Sequence, residues 1–289
     1  MGKAEAVCHG AATIVNAIAT GKGAAFGVDL WTKARVQITD KPGRIEGIIT
    51  SDPAEDPILI EKTVGKVLEY FNFKGELGAK VETWSNIPIA RGLKSSSVAA
   101  NAVALATVAA LDKSLDDLTI LNLGVDAAVE AKVTITGAFD DACASYFGGA
   151  VVTDNLKRRI VKRSEIVEGL TILFYVPAKK VYTSGSNVQR MRRVASLVKI
   201  AYKEAVKGNY WSALTLNGLI YASALGYNPS IAVDALMAGA LAAGLSGTGP
   251  AVTAIVPGER INSVKDAWQK YEGDILQARV NHEKAKVVG

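Results

Sequence analysis

Three segments gather residue types that can do chemistry together. The first is Pro88-Ile89-Ala90-Arg91-Gly92-Leu93-Lys94-Ser95-Ser96-Ser97, which runs into an Ala-rich stretch that reads as a helix over residues 95–110. Small residues let backbone N–H groups approach a ligand. Three hydroxyls at a helix start add donors and metal ligands, and the helix N-terminus carries unpaired N–H groups and partial positive charge. These features make a phosphate cradle, and Lys94 adds a point charge to it. A plain loop with serine caps fits the same residues. The second segment is Gly137-Ala138-Phe139-Asp140-Asp141-Ala142-Cys143-Ala144-Ser145. Its adjacent carboxylates suit a general base or a metal ligand, with helix capping as the structural alternative. The third is Gly244-Leu245-Ser246-Gly247-Thr248-Gly249-Pro250. Such glycine density before a strand means close backbone approach to a ligand or another segment, or a tight turn. Glu130, inside an apolar helical stretch, is a further candidate; pairing with a lysine or facing solvent is the ordinary role of a helical Glu.

The elements that must hold these segments follow from periodicity. Residues 24–40 alternate as strand, Lys41-Pro42-Gly43 is a turn, and residues 45–50 complete a pair of strands. Ile60, Val64, Val67, Leu68 and Phe71 recur at helical spacing over residues 58–71. Residues 78–84, 150–153, 170–176 and 251–256 read as strands, and residues 118–132 and 138–146 as helices. Further helices are expected near 187–207, 210–225, 229–243 and 261–271. The hydrophilic stretch 155–165 marks a division, so the pattern is α+β in two parts.

Composition narrows the functions. The chain has 289 residues, enough for one large or two ordinary domains, and 49% of them are hydrophobic. A net charge of +5 suits phosphate or carboxylate ligands. The basic runs at Lys157-Arg158-Arg159 and Arg190–Arg193 lack the interleaved aromatics of a nucleic-acid surface, so no nucleic-acid partner is expected. Two distant cysteines and two histidines argue against a disulfide framework, a structural zinc site or a His-based metal cluster, and fit a cytoplasmic protein. Ala17-Ile18-Ala19 imitates a signal-cleavage site, but Asn16 interrupts the apolar run before it. No apolar run has the length of a membrane span. The sequence contains no GxxxxGK[ST], and no GxGxxG follows a strand.

The order and spacing of the segments resemble the GHMP kinases (galactose, homoserine, mevalonate and phosphomevalonate kinases). Pro88 through Ser96 fits PxxxGLxSS. Glu130 precedes Asp141 by eleven residues, and Gly148-Gly149 and the third glycine-rich segment follow in order. The resemblance implies a two-domain GHMP kinase fold. Residues 1–158 would form an ATP-binding domain like domain 2 of ribosomal protein S5, and residues 159–289 a ferredoxin-like domain. It further implies ATP and Mg2+ as cofactors, with Pro88, Arg91, Gly92, Leu93, Lys94, Ser95, Ser96 and Ser97 around the phosphates. Gly247, Thr248 and Gly249 would lie beside them, and Ser96 and Glu130 would hold the metal. Asp141 would be the catalytic aspartate, or Asp140 if the register slips by one.

Thr20 through Gly27, Gly92 through Ser97 and Val181-Tyr182-Thr183-Ser184 are similar to archaeal-type shikimate kinases. That likeness implies shikimate as acceptor, with Lys22, Tyr182, Thr183 and Ser184 beside it. Thr183, Ser184 and Ser186 offer hydroxyls, and Arg190 or Arg192 a charged fork. Homoserine, pantoate and mevalonate are the rival acceptors; a catalytically silent nucleotide sensor is the rival of another class. Two departures stand out. The lysine in GLKSSS replaces a residue that is usually glycine, and the lysine of the mevalonate kinase first-strand motif has no match near His9-Gly10-Ala11. Charge neutralisation then falls to Lys22 or Lys94.

Overall fold

The computed structural model describes residues 2–178, 181 and 187–289. Two long antiparallel strands, β1 (Lys3–Val15) and β2 (Lys22–Thr39), form the spine of a first sheet. Along β1, Ala4, Ala6 and Cys8 alternate into the core, the period-two signature of a half-buried strand. β3 (Ile45–Ile49) and β4 (Gly78–Ser85) pair in parallel, linked through helix α1 (Ile58–Tyr70). The helices α2 (Ser95–Ala110), α3 (Asp117–Glu130) and α4 (Phe139–Phe147) pack together, with α2 and α4 against β1 and β2. The alanines of α2 are buried on most of its sides, and only side chains that small let one helix touch both a sheet and three other helices. β5 (Ala150–Asp154) adds to β2, and β6 (Arg159–Ser164) to β5.

The second half begins with β7 (Leu170–Val176). The helices α5 (Val188–Arg193), α6 (Ala195–Lys207), α7 (Tyr210–Leu225) and α8 (Ser230–Met237) follow, then β8 (Ala242–Leu245), β9 (Val252–Pro257), α9 (Ile261–Trp268) and β10 (Asp274–Arg279). The four strands form an antiparallel sheet in the order β10-β7-β9-β8, the arrangement of a ferredoxin-like β-α-β-β-α-β unit. The chain then returns to the first sheet, where β11 (Lys286–Val287) pairs with β1. Phe26 of β2 meets Trp211 of α7 edge to face, with ring centroids 5.5 Å apart, so one apolar cluster spans both halves.

Three elements depart from the sequence-based expectation. The stretch 155–165 contains β6, which carries Arg159, Lys162 and Arg163, so a division at 158/159 cuts the β5–β6 hairpin; the sheet changes only between Ser164 and Leu170. The helix expected over 229–243 stops at Met237, and Ala242–Leu245 is a buried strand. That strand lies against α7 where Gly218 faces Gly244, and a Cβ on Gly218 would sit 2.3 Å from the Gly244 Cα. Residues 187–207 form two helices rather than one.

Candidate active site

The loop before α2 has an unusual backbone. Ala90 (φ 56°), Gly92 (φ 85°) and Lys94 (φ 64°) are left-handed at alternating positions. Alternation of hand turns consecutive N–H groups to one side, the geometry of an anion nest, and here it opens onto a helix N-terminus. A left-handed alanine or lysine costs about 1–2 kcal/mol each, and such strain persists where surrounding contacts fix it. The contacts come from the third glycine-rich segment. Ser246 Oγ donates to the Gly92 carbonyl (2.8 Å), and the Ala251 N–H donates to the Arg91 carbonyl (3.2 Å). A Cβ on Gly92 would lie 2.9 Å from the Gly249 oxygen, so glycine is required for this approach. The Arg91 guanidinium donates to the Pro177 carbonyl, and the Val181 N–H donates to the Ala90 carbonyl (2.8 Å).

Opposite this loop stands the start of α4. Gly137 (φ 82°) and Ala138 (φ 48°) turn the chain so that Asp140 and Asp141 fall in the first helical turn, where the helix dipole favours negative charge. Both are buried. Lys94 reaches across so that its Nζ lies 3.5 Å from Asp141 Oδ2, and Thr13 Oγ1 of β1 donates to Asp141 Oδ1 at 3.5 Å. The lysine passes over Gly247, where a Cβ would sit 1.9 Å from Nζ. Burial raises the Asp141 pKa, and the Lys94 charge and the Lys94 and Thr13 contacts oppose that rise. Asp140 has a neutral partner instead: Asn155 Nδ2 donates to its Oδ1 at 2.8 Å. Burial, then the neighbouring Asp141 charge, pushes Asp140 up to about 7, with the Asn155 bond acting against them.

A single cleft runs between these walls. Of the expected residues, Gly92, Leu93, Lys94, Ser95, Ser96, Ser97, Asp140, Asp141 and Thr248 line it. Arg91 and Gly249 instead lock the phosphate loop from behind, and Gly247 makes room for Lys94. Pro88 precedes the loop and does not line the cleft. Lys22 is turned away: its ammonium stands 5.7 Å from the centre of the Tyr202 ring. Of the two lysines expected to neutralise charge, Lys94 is therefore the one in the cleft. Tyr182, Thr183, Ser184 and Ser186 lie outside the described residues.

Glu130 lies apart from the other expected residues. It ends α3 and faces α1, where Lys62 Nζ (2.7 Å) and Lys66 Nζ (2.8 Å) hold its two oxygens in a separate depression. These lysines draw its pKa down to about 2. Its neighbours Ala128 and Lys132 line the cleft with Ser96, whereas Glu130 lines the separate depression beside α1. Sequence reasoning missed Thr13, Asn16 and Asn155. Each is a single polar residue in or beside an apolar strand, with no motif to mark it. The turn 16–19 is held by the second half of the molecule: Asn217 Oδ1 of α7 accepts from the Asn16 N–H (3.1 Å), and Tyr221 OH bonds the Asn16 carbonyl.

A phosphate nest facing a buried aspartate–lysine pair, on this pairing of folds, defines a small-molecule kinase site. The model of the GHMP kinases N-terminal domain matches residues 59–149, and that of the C-terminal domain matches residues 229–274. The chain belongs to the GHMP kinases and is an ATP-dependent phosphotransferase. Within that family it is 47% identical over 282 residues to a shikimate kinase of Methanosarcina acetivorans, covering 97% of this chain and 95% of the relative. It is 43% identical over 268 residues to a shikimate kinase of Pyrococcus furiosus, covering 92% and 95%. The fold matches Methanococcus jannaschii mevalonate kinase with a TM-score of 0.76 at 17% identity, covering 96% of this chain and 98% of that one. It matches Cytophaga hutchinsonii homoserine kinase with a TM-score of 0.73 at 18% identity, covering 100% and 98%. No described helix is long and apolar enough to cross a membrane.

Proposed function

We propose that this protein transfers the γ-phosphoryl group of ATP to the 3-hydroxyl of shikimate, a step of aromatic amino-acid (chorismate) biosynthesis. The observation that carries the chemistry is the Thr13–Lys94–Asp141 cluster facing the phosphate nest. The choice of acceptor rests on near-full-length likeness to shikimate kinases. Phosphoryl transfer is mainly positioning and charge neutralisation. The N–H groups of residues 90–97 cradle the phosphates, and Lys94 supplies positive charge beside the transferred group. Asp141 accepts or orients the proton of the attacking hydroxyl, and its raised pKa makes it a stronger base than an exposed aspartate.

The donor set also fits Mg2+. This ion keeps several waters and takes one or two protein oxygens plus substrate phosphates, so the lack of a three-acid cluster among the described residues does not count against it. The Ser96 hydroxyl, at the cleft edge of the helix start, would hold the ion together with the phosphates. Bound there it would neutralise charge developing on the phosphoryl oxygens. Side-by-side kcat/KM values for shikimate, homoserine, pantoate and mevalonate test the reading. Shikimate is expected to lead by at least about tenfold, as a site built around several hydroxyls rejects acceptors that leave its polar groups unpaired. A rival acceptor leading by that margin overturns the substrate, and ATP binding without any transfer overturns the enzyme.

A further inference from the structure

The cleft contains a carboxylate that the transfer chemistry does not use. Asp140 and Asp141 are consecutive in one helical turn and so point about 100° apart. Asp141 is held by a cation and a hydroxyl from the phosphate side. Asp140 is held from the opposite wall, and that wall is fixed. Asn155 Oδ1 accepts from Thr153 Oγ1 (2.6 Å), which leaves Nδ2 as the group that meets Asp140 Oδ1, and the Asn155 N–H donates to the Gly21 carbonyl (2.9 Å). Asp140 Oδ2 lies over Gly23, where a Cβ would sit only 2.2 Å away. Gly23 pairs with Thr153 across β2 and β5, so one piece of sheet supplies both the amide and the space. Beside the Asn155 amide, only the Asp141 backbone N–H and the Lys94 charge among the described residues favour the ionised form of Asp140. A carboxylate only 3% exposed, with one neutral side-chain partner, is costly unless another donor completes it.

We propose that Asp140 is the acceptor-selecting carboxylate: its Oδ2 accepts a hydrogen bond from a hydroxyl of the acceptor other than the one that is phosphorylated. The assignment rests on the functional reading above and adds a division of labour to it. Asp141 serves the reacting hydroxyl, and Asp140 recognises a neighbouring one. In its ionised form this group also repels the acceptor's own carboxylate and the phosphates, so it orients a polyhydroxy acid with its hydroxyl edge toward Asp140. Gly23, within the segment 20–27 that resembles shikimate-type enzymes, is then required because it leaves room for this group.

The test compares shikimate with its two analogues that each lack one non-reacting hydroxyl, in the wild type and in Asp140→Ala. The wild type is expected to lose at least about tenfold in kcat/KM on one of the two analogues, the loss typical of a hydrogen bond to a charged group. Asp140→Ala is expected to lose at least about tenfold on shikimate and then to treat shikimate and that analogue alike within about threefold, with the KM for ATP unchanged. A merely structural role would lower all three acceptors together and leave the discrimination in place. That result, or a wild type indifferent to both missing hydroxyls, overturns the assignment. Gly23→Ala, which displaces the carboxylate without removing it, gives a second variant expected to lose the same discrimination. A wild type that does not phosphorylate shikimate at all overturns the functional reading and this assignment together. Intact discrimination in both variants overturns this assignment alone.

Discussion

Two lysine–carboxylate contacts, at opposite ends of the stretch from 130 to 141, behave in opposite ways. At the end of α3, Glu130 accepts from Lys62 and Lys66 at 2.7 and 2.8 Å with about 40% of its side chain exposed. At the start of α4, Asp141 meets Lys94 at a looser 3.5 Å with about 10% exposed. The tighter pair draws its acid down to about 2, while the looser one leaves its acid raised. Burial decides the difference. Water already stabilises an exposed carboxylate, so lysines only add to it; in the cleft the lost hydration outweighs the single lysine. The exposed pair leaves an acid too weak as a base to take a proton and with both oxygens engaged. The buried pair leaves a base with appreciable proton affinity facing a phosphate nest. Sequence spacing presents the two acids as equals, and their surroundings separate them.

Removing each acid sharpens the contrast. Asp141→Asn is expected to lower kcat by about 10²–10⁴-fold, the range for a positioned general base, while ATP affinity changes little. Single-turnover transfer and equilibrium ATP binding on the same preparation would check it; near-normal turnover would remove the base role from Asp141. Glu130→Gln is expected to have the smallest effect. Exposed ion pairs are worth at most about 1 kcal/mol, so thermal stability should move little and the Mg2+ dependence of kcat should stay at the wild-type value. A raised Mg2+ requirement in that variant would return Glu130 to the metal.

Much of the fold is legible in the sequence. The boundaries of α1, α2, β4 and β7 fall within two residues of those expected, because each is an apolar periodic stretch or an apolar run ended by polar or turn residues. The misses share a physical cause. β6 is a charged strand whose stability comes from pairing with β5, and β8 is an Ala-Gly strand whose fit depends on Gly218 of a distant helix. Neither carries a local signal. The nest and the aspartate pair were legible because helix starts announce themselves through small residues, hydroxyls and carboxylates. The partners were not. Thr13, in β1, and Asn155, in the turn after β5, lie 128 and 15 residues away from the aspartates they contact, and only tertiary pairing brings them in. GLKSSS marked Lys94 as a departure, but its reach over Gly247 to Asp141 depends on a contact between segments about 150 residues apart.

The pH dependence of kcat/KM for shikimate in the wild type and in Lys94→Met tests the pairing of Lys94 with Asp141 most directly. Asp141 acts as its carboxylate, so activity falls on the acid side as that group takes up a proton. Lys94 lowers the Asp141 pKa, so losing the ammonium leaves only the Thr13 contact against burial and the pKa climbs. The account predicts that the acid limb of the Lys94→Met profile moves to higher pH, together with a loss of maximal rate. An acid limb that stays in place or moves lower while the maximal rate falls would mean that Lys94 serves the phosphates alone, contradicting the claim that it tunes Asp141.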